Sequence, residues 1–334
     1  MGTAGTAALA HARRWWGAAA ASASKAKAGF GVYGRLSSSN TQKVLWMMEE
    51  VGQSYKLVAA SARMGSASPF LVEHTEGALP YGLTNTEAYR ALNPHGRIPM
   101  VTLPDANTPD TALWESHSII RYLADTRNAT HLYGASSDDG DELALRRALC
   151  SRWMDWALHG NDYEPSFPTA NHHLVDALTR VPRGKVVDLA RIEKAQNEYV
   201  RLFDLLEKAI EDTRVPLGVC ENTFTVADVP IAVEVNRFSL AMHALAAELG
   251  TEGESAASSW PNLHAFYERM LARPAFVRAV YIPEVIANAA RLLIAQSPDG
   301  DGYGEWNGRE GLPEWSDAVY RDVDQYKWLC CAPA

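Results

Sequence analysis

Pro99 heads the apolar run Ile98 to Leu103, and this placement restricts the fold more than any other feature of the chain. Proline cannot donate to a β-ladder, so within a sheet it is confined to an edge, a bulge or the first residue of a strand. The flanking patterns say which sheet this is. Phe30 to Gly34 reads as a short strand and Arg35 to Asn40 as a polar turn. Val44, Leu45, Met47, Met48 and Val51 then form the apolar face of a helix that Asn40 or Thr41 can cap and Gly52 ends. A second strand follows at Tyr55 to Val58. Downstream, Asn93-Pro94-His95-Gly96 makes a turn, Ile98 to Leu103 and Ala112 to Trp114 are strands, and Glu115 to Leu123 is a helix with Ile119, Ile120 and Leu123 inward. The order is β-α-β, then β-β-α.

The remainder reads differently. After a polar linker at 128–140, residues Leu143 to Leu158, Val187 to Ile210, Val226 to Leu240 and Leu263 to Leu271 place apolar side chains at three- and four-residue spacing, so this part is all-α. Thr225 and Asp228 form a capping box, with Phe224 placed to staple the same helix. Trp153, Trp156, Trp260 and Phe266 are large enough to line an apolar pocket, although aromatic residues at helical spacing are more often core. His172-His173 has no partner at metal-ligand spacing and is expected in a surface loop before Pro182.

Composition removes several function classes. The 334 residues carry a formal charge of −9 with no basic stripe interleaved with aromatics, which argues against a nucleic-acid partner. The four cysteines, Cys150, Cys220, Cys330 and Cys331, have neither C-x-x-C nor C-x-x-H grouping, so no metal site is expected. No run approaches the ~20 apolar residues of a membrane-spanning helix.

A β-α-β-β-β-α order with proline opening the third strand is that of a thioredoxin-like domain. A cis bond before Pro99 would turn the Ile98 backbone outward, leaving its N–H and C=O to pair with a bound peptide. The segments GRLSSSNTQKVLWMMEEVG, EAYRALNPHGRIPMVTL and LWESHSIIRYLAD resemble the amino-terminal domain of soluble glutathione transferases, in the bacterial theta, beta and nu neighbourhood. CSRWMDWALHG, TFTVADVPIAV and WPNLHAFYERMLARPAFVR resemble the helical second domain of that family. The resemblance covers about 30–285 and implies an α/β thioredoxin-like domain at 30–127 followed by an all-α domain at 141–284. It also implies glutathione as co-substrate, a small hydrophobic electrophile as second substrate, and a homodimer. A non-catalytic subunit of a larger assembly is the alternative.

Glutathione brings a thiol whose anion is the nucleophile, so such a protein must stabilise negative sulfur. Ser37, Ser38, Ser39 and Asn40 lie just ahead of a helix start, where oriented N–H groups and one hydroxyl or amide donor can do this. The resemblance aligns Ser38, first, and Asn40, second, with the residue that faces sulfur; a plain capping role is the competing reading for this cluster. It gives Glu115 the γ-glutamyl ammonium and Ser116 the γ-glutamyl carboxylate, at a second helix start. His95 or Arg97 could reach the glycyl carboxylate, and Arg121 is expected in a structural ion pair. With no cysteine before Cys150, disulfide exchange through a protein thiol is excluded here, whereas conjugation and glutathione-dependent peroxide reduction are not.

Three segments depart from the family pattern. Residues 1–29 are rich in Ala and Ser, carry Arg13, Arg14, Lys25 and Lys27, and contain no acidic residue, which is the composition of a mitochondrial or plastid transit peptide or of a disordered tail. Residues 61–77 read as an insertion that could be a lid, alter a dimer face or block the site. Residues 285–334 form an extension in which a helix over Ile282 to Gln296 gives way to a glycine-rich stretch.

Overall fold

The computed structural model describes residues 30–34, 38–60, 84, 86–103, 111–127, 129–134, 140–159, 166–180, 189–211, 223–249 and 259–281. The leader 1–29, Ser37, the 61–77 insertion, linker residues 128 and 135–139, the helix expected at 282–296 and the extension to residue 334 lie outside the described residues.

The first domain is a four-stranded mixed sheet. Its elements are β1 (Phe30–Gly34), α1 (Ser39–Glu50), β2 (Tyr55–Ala59), α2 (Glu87–Leu92), β3 (Met100–Thr102), β4 (Ala112–Trp114) and α3 (Ser116–Thr126). The strand order is β2-β1-β3-β4. β1 runs parallel to β2, with Val32 opposite Leu57, and antiparallel to β3, with Val32 opposite Val101; β3 and β4 are antiparallel. A parallel pair needs a crossover connection of about a dozen residues or more, and α1 is that crossover. The strand at Pro99 is shorter than expected, starting at Met100, because the proline has no N–H to give the ladder.

A 3₁₀ turn at Thr130–Leu132 leads to α4 (Gly140–Leu158), α5 (Phe167–Arg180), α6 (Leu189–Glu211), α7 (Asp228–Leu249), α8 (Pro261–Leu271) and α9 (Pro274–Ala279). Helices α2, α5 and α9 were not anticipated. The six-residue α2 and α9 are too short for a 3.6-residue period to register. Helix α5 overturns the expected loop at His172-His173. Ser166 caps it by accepting from the Thr169 N–H at 3.2 Å, and Phe167, Ala170 and Leu174 supply its buried face. The four aromatics pack against the core. Trp153 stacks edge-on with Trp156 and Trp156 with Phe167, while Trp260 meets Phe203 and donates Nε1 to Asp204 at 2.8 Å; Phe266 is buried.

Helix α1 determines how the two domains fit. It packs on α3 within its own domain and on α7 and α9 of the helical domain, so Thr41 through Met48 are all buried. A helix covered on every side is apolar around most of its circumference, which accounts for the run Val44-Leu45-Trp46-Met47-Met48. Trp46 anchors the junction against Phe276, at 4.8 Å between ring centroids, and Phe224, at 5.3 Å. Phe224 therefore works across the domain boundary, with Arg273 stacked 3.9 Å above its ring. The capping box is present. Asp228 Oδ2 accepts from the Thr225 N–H at 2.7 Å, and Thr225 Oγ1 from the Ala227 N–H at 3.3 Å.

Candidate functional site

Two helix starts meet at the C-terminal end of β1. The first belongs to α1. Gly34 ends β1 with no room for a side chain, since a Cβ there would fall 2.5 Å from Thr41 Oγ1, so β1 and α1 lie in direct contact. Ser38, rather than Asn40 or Thr41, is the cap: its backbone is extended, and its Oγ accepts from the Thr41 N–H at 3.4 Å.

The second start is that of α3. Glu115 precedes it with φ 69°, a left-handed conformation that costs a residue with a Cβ about 1–3 kcal/mol. This turn leaves the first N–H groups of α3 without helical acceptors, as at any helix start. Ser116 is buried and Glu115 half-exposed. The two starts touch, with Ser116 Oγ donating to Asn40 Oδ1 at 3.4 Å.

The Asn93–Gly96 turn closes a third side. Gly96, at φ 64°, returns its N–H to the Asn93 carbonyl at 2.9 Å. The Arg97 carbonyl accepts from Tyr89 Oη at 2.7 Å and Asn93 Nδ2 at 2.8 Å, which holds the approach to Pro99. The Ile98–Pro99 bond is cis, and Ile98 makes no backbone–backbone hydrogen bond among the described residues. His95 Nδ1 lies 3.5 Å from Glu115 Oε1, both exposed enough to meet a ligand. Arg97 is exposed, and Arg121 pairs with Asp155 at 2.7 Å, as anticipated.

Behind Asn40 lies a buried polar cluster that no sequence signal announced. Lys43, one turn along α1, is 2% exposed and donates to the same Asn40 Oδ1 at 3.0 Å. With Lys43 and Ser116 both on Oδ1, the amide's Nδ2 is the group left to act elsewhere as a donor. Ser39, grouped by sequence with the ligand-binding residues, instead turns to the helical domain. Its hydroxyl accepts from Asn171 Nδ2 at 3.0 Å and bonds the carboxylate of Glu234. Arg237 bridges the domains, donating Nε to Asn171 Oδ1 at 2.9 Å and a terminal nitrogen to Gln42 Oε1 at 3.0 Å.

Burial sets the titration of this cluster. Desolvation lowers the Lys43 ammonium to about 8, with Glu234 opposing and Arg237 reinforcing the shift, so Lys43 is still mostly charged at neutral pH. Burial raises Glu234, against the pull of Lys43 and Arg237. His117, next to Ser116 on α3, is driven well below its ordinary value by burial and then by Lys43 and Arg121, and it stays neutral. Of the sequence candidates, the fold thus brings together Asn40, Ser38, Glu115, Ser116, His95, Ile98 and Pro99; it diverts Ser39, and Ser37 lies outside the described residues.

The sequence and the fold are both similar to those of known proteins. Residues 37–126 match the family model for the glutathione S-transferase N-terminal domain. The chain is 27% identical over 256 residues to glutathione S-transferase GstB of Escherichia coli K12, covering 75% of this chain and 98% of that protein. A glutathione S-transferase of Hyoscyamus muticus is 26% identical over 198 residues, covering 58% of this chain and 78% of that protein. Among solved structures, the theta class glutathione S-transferase of Xanthomonas axonopodis pv. citri, with glutathione bound, superposes with a TM-score of 0.54 at 28% identity, over 76% of this chain and 98% of that one. With the mixed sheet, the proline-headed third strand and the helical second domain, these matches make the chain similar to glutathione S-transferases over 75% of its length, with the match to the family's N-terminal domain confined to residues 37–126.

Proposed function

We propose that the protein is a glutathione transferase that binds the tripeptide across the two helix starts and activates its thiol. The observation that carries this reading is the Ser116–Asn40 contact, which joins a start suited to a carboxylate with a start suited to a sulfur anion. The γ-glutamyl carboxylate lies on the N–H groups and hydroxyl of Ser116, with its ammonium at Glu115. The cysteinyl backbone pairs with Ile98 beside Pro99. The glycyl carboxylate meets His95 or Arg97.

The sulfur sits at the start of α1, where Asn40 Nδ2 donates to it. Lowering the thiol pKa by ~2 units takes ~2.7 kcal/mol in favour of the anion. A helix start contributes about 0.3–2 kcal/mol and a hydrogen bond to a charged acceptor about 1.5–3 kcal/mol, which together suffice. The thiol proton leaves to solvent. The thiolate then forms a carbon–sulfur bond to an apolar electrophile, whose leaving group departs with the bonding electron pair. In the peroxide reaction two glutathione molecules are oxidised to the disulfide while the peroxide becomes an alcohol and water. The names of the relatives support the conjugating chemistry in general and leave the electrophile open.

Calorimetric titration with glutathione, followed by conjugation of an aryl halide, tests the proposal. Saturable heat and turnover support it. No heat at millimolar glutathione, with co-migration in a large assembly, would favour the non-catalytic subunit instead. Light scattering reads the homodimer that this reading carries with it. We further propose organelle import through residues 1–29 on the strength of their composition; a reporter fused to that segment should reach a mitochondrion or plastid.

A further inference from the structure

Lys43 has no ordinary reason to be buried. A lysine at a helix position normally keeps its ammonium in water, and burial of that charge is tolerated only where partners hold it. Here the partner is the oxygen of the amide side chain nearest the proposed sulfur site, at 3.0 Å. A second donor, Ser116 Oγ, meets the same oxygen. These bonds fix which end of the Asn40 amide is the acceptor and which is offered to a ligand.

We propose that Lys43 is a positioning residue for sulfur activation, holding the Asn40 amide with its NH₂ toward the thiol site and keeping a buried positive charge directly behind it. This rests on the reading of the site as a glutathione site. Lys43 touches no ligand and acts through Asn40. A charge-assisted bond on Oδ1 withdraws electron density from the amide and strengthens its N–H donors, and in a low-dielectric interior the ammonium itself favours a nearby anion.

The groups facing Lys43 are known from each packed element. Helix α7 contributes Glu234 and Arg237, and α3 contributes His117 and Arg121. The α9 segment's Arg273 and Arg278 are engaged at the far end of α1 by Glu50 and Glu49. His117 is neutral, Glu234 is raised by burial, and Lys43 loses its charge as pH rises through about 8, so the K43M variant isolates the part of the pH response that Lys43 carries.

Three full-length variants test this. K43M removes charge and donor, K43Q keeps a donor without charge, and K43R keeps both. The first readout is the thiolate absorbance of bound glutathione against pH. K43M should raise the thiol pKa by about one unit, a tenfold loss of thiolate below that pKa, while K43R restores most of it and K43Q falls between. The turnover number at neutral pH should fall in parallel, with KM for glutathione changed less than threefold. The second readout needs no glutathione: the side-chain amide signal of Asn40 in nuclear magnetic resonance, identified by its loss in N40A, should titrate with a midpoint near pH 8 in the wild type and not in K43M. A wild-type thiol pKa in folded K43M, or in K43Q if K43M does not fold, overturns the inference, as does an Asn40 signal that ignores pH in the wild type. Failure of the wild type to bind glutathione overturns the proposed function instead, and the Asn40 titration then decides by itself whether Lys43 controls that amide.

Discussion

Ser38 and Asn40 look equivalent as polar residues at a helix start, yet their hydrogen bonds separate them. Ser38 Oγ is engaged, though at 3.4 Å, as the cap of α1, whereas Asn40 is held through Oδ1 and its Nδ2 has no partner among the described residues. N40A should therefore cost about 10²-fold in turnover, the usual result of losing a donor to a developing anion. S38A should cost about 1 kcal/mol of stability through the lost cap, with a smaller effect on turnover. Steady-state kinetics on both variants, alongside urea melts, checks the order; a larger loss of turnover in S38A would return the sulfur contact to the serine.

Asp228 is a second residue where burial sets the chemistry. Its carboxyl is pushed up to about 7, chiefly by desolvation and against the bonds from Thr225. An unfolded aspartate titrates near 3.9, so between about pH 4 and pH 7 the folded state holds a proton that the unfolded state has released. Stability contributed by this group consequently falls as pH rises through that window. D228N, which retains an acceptor for the Thr225 N–H, should flatten the slope of melting temperature against pH over that range. D228A should lose roughly 1–2 kcal/mol through the broken cap at any pH. Differential scanning calorimetry on the three proteins reads both effects.

At the scale of elements, the junction of β1 and α1 is governed by close approach. Gly34 leaves no space before Thr41, and a Cβ there must move the start of α1 or its threonine. G34A should destabilise by about 1–3 kcal/mol through overpacking. Because the displaced segment carries Asn40, the Michaelis constant for glutathione should rise with it, and a G34A protein with unaltered stability and KM would show that the junction yields without cost. Much at this scale is legible in the sequence. The strands at Phe30 and Ala112 are marked by apolar runs between polar turns, and α1 and α3 by residues at three- and four-residue spacing. Helix α2 is not, because six residues capped by Thr86 carry less than two turns of pattern. Helix α5 was obscured by the adjacent histidines, whose polarity suggests a loop although the Phe167, Ala170 and Leu174 face is regular.

Across the whole molecule the two domains are joined by α1 and by the polar cluster beneath it. Arg237 reaches from α7 to Gln42 and Asn171, and Gln42 reaches on to the Val280 carbonyl, which Asn236 also meets. Removing one member leaves buried groups without partners, so R237M should cost roughly 3 kcal/mol and lower the cooperativity of unfolding. A denaturant melt followed separately by far-ultraviolet circular dichroism and tryptophan fluorescence would show two transitions in R237M where the wild type shows one.

The order of strands and helices, the proline at the head of β3, the capping box at Thr225 and the adjacency of polar residues to two helix starts are local properties, and local pattern alone determined them. The direction each of those polar side chains takes is not local. Ser39 and Asn40 are neighbours in sequence, but one joins the helical domain and the other the site, because α1 is covered on one side by α3 and on the other by α7. The same enclosure removes Lys43 from water and sets it against Asn40. A lysine in a helical pattern reads as solvent-facing until a second domain is laid over it, so only the tertiary structure could assign it a place behind the site.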